Sequence, residues 1–379
     1  MSAGLEVSAP AIVPLVDLAA QQAEVHDVVM AELAGVFTTA AFVGGTAVAD
    51  FESGYARFTG ARHCVGVANG TEALELALRA GGVGPGGEVI LPANTFIATA
   101  EAVSRIGAVP VPVDVDARYL LMDPSAAAAA VTGRTQAIVP VHLFGQTAFV
   151  EQLLPVAASC GAVIIEDAAQ AQGATRFGRS AGTLGLAAGT SFYPGKNLGA
   201  AGDAGGVLTN DPDVAAHVRL LGAHGSSVKY RHDVVGINSR LDTVQAVVLK
   251  AKLARLQEWN LLRRAAAERY ACLLADIPGV ELPAEAPGNT DVWHLYVVRV
   301  PDRDTLLAGL LARGIQAGIH YPVPVHLSGA YAGDGRGPGS FPVAEEAAGR
   351  ILSLPLFPHI TPDQQERVAD ALKAVRSSL

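Results

Sequence analysis

Between residues 63 and 209, short and almost continuous apolar runs alternate with stretches of helical periodicity, and this restricts the possible folds most. The runs fall at 63–68, 88–92, 109–114, 136–141, 161–167 and 205–209. None shows the in–out alternation of a strand with one wet face, so each is expected to be a strand buried on both sides. Strands separated by helices pair in parallel, because a parallel crossover needs a dozen or more residues. The expected fold is therefore α/β, with a mostly parallel sheet covered on both faces.

At 379 residues the chain exceeds what one core usually serves, so a large and a smaller domain are expected. The division is placed between residues 250 and 251. Residues 1–250 would hold N-terminal helices and the large domain, and 251–379 a linker helix and a smaller α+β unit. Leu18, Val25, Val28, Val29, Leu33 and Phe37 give the first helix an apolar face, expected to pack across another domain or subunit.

A net charge of −9 without any basic cluster argues against a nucleic-acid partner. No apolar run reaches the roughly 18 residues of a membrane span. No basic-then-apolar leader is seen, so a cytoplasmic location is expected. Cys64, Cys160 and Cys272 are scattered without metal-binding spacing, so no metal site is expected.

Three places stand out chemically. At Asn69-Gly70-Thr71 a strand passes through a small-residue turn into a helix, which aims free amides and a positive helix end at the sheet edge, as anions require. Asp167 ends a strongly apolar strand and reads either as a ligand contact or as a helix N-cap. Lys196 follows Pro194-Gly195, with Ser191 five residues upstream, among small and apolar neighbours. Desolvation there would lower its pKa and free the amine as a nucleophile. Of the other lysines, Lys250, Lys252 and Lys373 stand in charge-mixed helical surroundings and read as solvated surface. An anion cradle, a ring carboxylate and a lysine are together what pyridoxal 5′-phosphate needs.

The motifs Asn69-Gly70-Thr71-Glu72-Ala73-Leu74, Pro92-Ala93-Asn94-Thr95-Phe96 and Pro140-Val141-His142-Leu143-Phe144-Gly145 make a resemblance plain. Ile165-Glu166-Asp167-Ala168-Ala169-Gln170-Ala171, residues 191–199, residues 236–242 and His320-Tyr321-Pro322 extend it over nearly the whole chain. The sequence resembles the DegT/DnrJ/EryC1/StrS sugar aminotransferases, a branch of the fold type I pyridoxal-phosphate enzymes. The resemblance implies an aspartate-aminotransferase-like large domain with a seven-stranded sheet, and a homodimer with shared active sites. It makes Lys196 the Schiff-base lysine, Asp167 the partner of the ring nitrogen, Gln170 a contact near the ring hydroxyl and Phe96 a stacking ring. Gly70, Thr71 and Ser191 would hold the phosphate, with Asn238 reaching it from a neighbouring subunit. Tyr193, His320 and Tyr321 would line a sugar pocket. Tyr230 and Arg240 are candidates for a diphosphate, although Arg240 reads equally as a surface ion pair.

The Tyr193-Pro194-Gly195-Lys196-Asn197-Leu198-Gly199 form is similar to that of enzymes aminating C3 of dTDP-linked 3-keto-6-deoxyhexoses. The implied substrates are such a nucleotide-linked keto-sugar and L-glutamate, in ping-pong turnover within amino-deoxysugar (antibiotic) biosynthesis. Competing readings are C4-sugar or aminocyclitol amination, and a non-enzymatic regulator or sensor. A dehydrase would replace the lysine by histidine, and a nicotinamide dehydrogenase would carry G-x-G-x-x-G where Asn69-Gly70-Thr71 stands.

Overall fold

Asn69 begins the sheet-to-helix architecture in miniature. Its extended backbone ends one strand, and its Oδ1 accepts from the Glu72 amide at 2.9 Å to cap the following helix. The structure, a computed structural model, describes residues 12–333 and 335–378. Seven strands form one sheet: β1 (His63–Val67), β2 (Glu88–Pro92), β3 (Val109–Val113), β4 (Thr135–Ile138), β5 (Val163–Asp167), β6 (Ala187–Ser191) and β7 (Gly205–Thr209). Their order is β1-β7-β6-β5-β4-β2-β3, and only β7 runs against the rest. The expected mostly parallel α/β sheet is thus observed.

The helices are α1 (Leu18–Thr39), α2 (Thr46–Thr59), α3 (Gly70–Ala80), α4 (Ile97–Arg105), α5 (Pro124–Ala129), α6 (Val150–Cys160), α7 (Pro212–Gly222), α8 (Thr243–Leu274), α9 (Arg303–Leu311), α10 (Pro342–Arg350) and α11 (Pro362–Arg376). On one face of the sheet, Leu74, Leu76, Ala100, Val103 and Val218 of α3, α4 and α7 pack on Val65, Leu91, Val139, Ile165 and Val207. The other face is covered by α2 and the first half of α8, and by α5 and α6. Burial on both faces is why these strands read as continuous apolar runs.

A separate core lies towards the C-terminus. There β8 (Tyr296–Arg299) pairs antiparallel with β9 (Ile351–Leu354), against α9, α11 and the end of α8. Ala246, Leu249 and Leu256 of α8 belong to the large core, and Ala266, Tyr270 and Leu274 to the smaller one. The expected division at 250/251 therefore falls within a helix that serves both. α1 lies on α8 through Val25, Val29, Val248 and Trp259, while its Val28 and Phe37 stay exposed. Lys252 corrects an expectation: it is buried, not solvated. α1 and α2 both pack on α8, so charge-mixed helical sequence does not there mean contact with water. No helix among the described residues is long and apolar enough to cross a membrane.

Candidate active site

Strand alternation at the end of β5 sends Glu166 and Asp167 to opposite faces. Glu166 is fully buried and accepts from the amides of Gly182, Leu184 and Gly185, each at 2.7 Å. The fourth donor is His142: its Nδ1 accepts from the Ala148 amide (3.0 Å), so Nε2 carries the proton and donates to Glu166 (2.7 Å). This carboxylate anchors the turn that leads into β6. Asp167 faces the other way, where Thr99 Oγ1 donates to Oδ2 (2.7 Å) and the Ala169 amide to Oδ1 (3.1 Å). Burial pushes its carboxyl above the ordinary range, opposed by those two donors and by Lys196 and His142. No helix starts at Asp167, so the N-cap alternative falls away.

Lys196 lies in the turn after β6, its amide donating to Tyr193 O at 2.8 Å. Burial brings its amine down to about 8, although the charge of Asp167 pulls the other way. The next residue, Asn197, is a hub: Nδ2 donates to Asn260 Oδ1 and Val292 O, both at 3.0 Å. Asn260 in turn donates to Gln172 O (2.9 Å), and Gln172 Nε2 to Ser191 O (2.7 Å). The lysine turn, the end of β6 and the loop after Asp167 are therefore one hydrogen-bonded unit.

The N-terminus of α3 abuts the same unit. A Cβ on Gly70 would lie 2.6 Å from Ser191 Cβ, so glycine lets the helix start close to the strand end. Between these parts is a cleft of about 450 Å³ lined by Gly70, Thr71, Phe96, Asp167, Gln170, Ser191, Tyr193, Lys196, His320 and Tyr321. Gln170 Oε1 accepts from the Phe144 amide (2.7 Å) and its Nε2 donates to Tyr321 Oη (3.0 Å). The Phe96 ring lies 5.1 Å from that of Tyr321. Burial holds the Tyr321 phenol neutral, pushed up to about 12. His320 Nδ1 is 2.8 Å from Ser353 Oγ, and burial beside Lys196 lowers its pKa.

Ten of the thirteen expected site residues thus share one cleft. Tyr230, Asn238 and Arg240 do not line it. All three are exposed on the 223–241 segment, whose hairpin pairs Ser226–Val228 with Arg231–His232. Sequence reasoning missed His294, Asp203, Leu15 and Val16 in the lining, and Thr99 behind Asp167. Thr99 lies three residues past the Pro92–Phe96 motif, and only the first turn of α4 brings it to the carboxylate; His294 carried no local signal beyond a histidine in an apolar run.

The profile of the DegT/DnrJ/EryC1/StrS aminotransferase family matches residues 24–373. The chain belongs to that family. Among relatives of this aminotransferase, the erythromycin biosynthesis sensory transduction protein EryC1 of Saccharopolyspora erythraea is 47% identical over 96% of this chain and 99% of its own. The dTDP-3-amino-3,4,6-trideoxy-alpha-D-glucose transaminase of Streptomyces venezuelae is 46% identical, covering 95% of both chains. The crystal structure of S. venezuelae DesV with a ketimine intermediate superposes with a TM-score of 0.95 at 46% identity, over 97% of this chain and all of that one.

Pyridoxal 5′-phosphate is the cofactor of this aminotransferase, and the cleft has the donor set for it. A desolvated amine and a buried carboxylate face one cavity. A Cβ at Gly70 would collide with Ser191, so glycine keeps the start of α3 against the strand end, where Thr71 and Ser191 line the same cleft.

Proposed function

We propose that the enzyme moves an amino group from L-glutamate to C3 of a dTDP-linked 3-keto-6-deoxyhexose, in the cytoplasm and as a homodimer. The observation that carries the chemistry is Lys196 beside Asp167 on the cleft wall, with the N-terminus of α3 at its edge. Support for C3 comes from the 46% identical relative named for a 3-amino sugar and from the turn sequence Tyr193-Pro194-Gly195-Lys196.

Bound pyridoxal 5′-phosphate supplies an aldehyde for an amine and a ring that accepts electron density. Asp167 would accept the proton-bearing ring nitrogen, Gln170 would contact the ring hydroxyl region and Phe96 would cover the ring face. Gly70, Thr71 and Ser191 would hold the phosphate through amides and hydroxyls. Lys196 Nζ takes a proton in the neutral form and returns it, and burial favours that neutral form. Tyr193, His320 and Tyr321 would bind the sugar.

Asn238, Tyr230 and Arg240 would act on the partner subunit's cleft. Supporting this, Tyr230 sits at a hairpin tip, 84% exposed with a left-handed φ of 68°, and Val235 on the same segment is 86% exposed. Borohydride reduction of the purified enzyme followed by peptide mass mapping tests the core assignment: cofactor fixed on Lys196 is expected, and on any other lysine contradicts it.

The relative named as a sensory transduction protein favours a second reading, a regulator. An absorption spectrum that bleaches on adding L-glutamate excludes a purely regulatory chain, and one that does not change supports it.

A further inference from the structure

The hydrogen bonds around His294 determine its tautomer. Both protons of Asn197 Nδ2 go to acceptors, Asn260 Oδ1 and Val292 O. Asn260 spends its own amide nitrogen on Gln172 O, which confirms its oxygen as the acceptor. Asn197 Oδ1 is therefore the atom that faces His294 Nδ1 at 3.1 Å, and an amide oxygen only accepts. Nδ1 must carry the hydrogen, and the neutral ring then has its lone pair on Nε2.

A second proton is opposed from every side. Burial, Lys196, Arg263 and His320 all push the imidazole well below its ordinary pKa. Arg263 is fully buried. Its Nη1 donates to the carbonyls of Leu356 (3.1 Å), Trp293 (3.3 Å) and His294 itself (3.5 Å). The main chain on either side is pinned as well, Val292 N to Gly145 O (3.0 Å) and Leu295 N to Phe144 O (3.2 Å). The ring is thus fixed by its backbone and by Nδ1. It lines the cleft, and Nε2 has no protein partner among the described residues yet is not closed off from solvent.

We propose that His294 recognises the substrate: its Nε2 lone pair accepts a hydrogen bond from a hydroxyl of the sugar. A neutral lone pair repels carboxylate and phosphate oxygens, so neither the carboxylates of L-glutamate nor a phosphate is its partner. Of the donors that the two substrates bring, the amine of L-glutamate is consumed by the transfer and the sugar hydroxyls remain. The inference rests on the sugar-aminotransferase reading above.

Two measurements test it. In cofactor-loaded enzyme with 15N-labelled histidine, His294 is expected as the Nδ1–H tautomer, untitrated between about pH 6 and 8, where free histidine changes charge. An Nε2–H tautomer or an imidazolium in that range overturns the proposal. In steady-state kinetics, His294→Phe should raise KM for the keto-sugar about ten-fold or more and leave KM for L-glutamate unchanged. His294→Gln, whose amide oxygen can accept, should recover part of the loss. The increase should vanish with the one deoxygenated sugar that lacks the donating hydroxyl. An unchanged sugar KM in His294→Phe, or a shift confined to L-glutamate, overturns the role of His294 while leaving the enzyme's activity intact. Wild-type enzyme that aminates no keto-sugar at all overturns the underlying reading, and the assignment with it.

Discussion

Lys196 and Asp167 stabilise each other's charge in a place where burial opposes both charges. Below about pH 8 Lys196 is protonated in both the folded and the unfolded chain, and burying that charge costs stability. As pH rises from there towards the ~10.4 of a free lysine, the folded chain loses its proton first and the cost is relieved. Lys196→Met should therefore raise the Tm of cofactor-free protein at pH 7 by about 2–4 °C, with less gain above pH 8. Scanning calorimetry at several pH values checks this. The same substitution abolishes transamination. Asp167→Asn keeps the shape but loses the charge, and should lower kcat by roughly 10–150-fold, the worth of a charge-assisted hydrogen bond. Both residues were legible in the sequence because a strand-end acid and a lysine in a Pro-Gly turn are local signals. His294 was not: its meaning lies in Asn197, 97 positions away, whose amide orientation depends on a helix and a loop elsewhere.

At the scale of elements, the site depends on how closely α3 starts against the end of β6. Gly70→Ala places a Cβ against Ser191 and should cost about 1–3 kcal/mol by forcing helix and strand apart. It should appear as a lower Tm together with weaker cofactor affinity, measured by absorbance titration. A drop in Tm alone would mean that the helix start does not bear on the cofactor. Glu166 is the anchor on the opposite face of β5. Glu166→Gln turns a donor towards one of four donors and should cost about 3 kcal/mol, read from urea unfolding. The order of strands and helices was readable because burial on both faces writes itself as unbroken apolar runs. The buried Lys252 was not, because its burial depends on what packs on α8 and not on the charge pattern of the helix itself.

For the whole molecule, the surface carries residues that its own cleft does not use. Asn238, Tyr230 and Arg240 project from the 223–241 segment, and Val28, Met30 and Phe37 of α1 are exposed on a helix that buries only Gln21, Val25 and Val29. In a homodimer with shared sites, Lys196→Ala and Asn238→Ala would each be inactive alone but complement each other. A randomly assorted equal mixture should regain about one quarter of wild-type activity, since half the dimers are mixed and each has one intact site. No recovery after subunit exchange would mean that both residues serve the same chain's cleft. Which carbon of the sugar receives nitrogen is read by the reverse half-reaction. Cofactor-loaded enzyme is mixed with dTDP-linked 3-amino and 4-amino 6-deoxyhexoses, and the cofactor spectrum is followed. Rapid conversion by a 3-amino sugar, with little response to the 4-amino sugars, is the predicted result; preference for a 4-amino sugar would contradict the account.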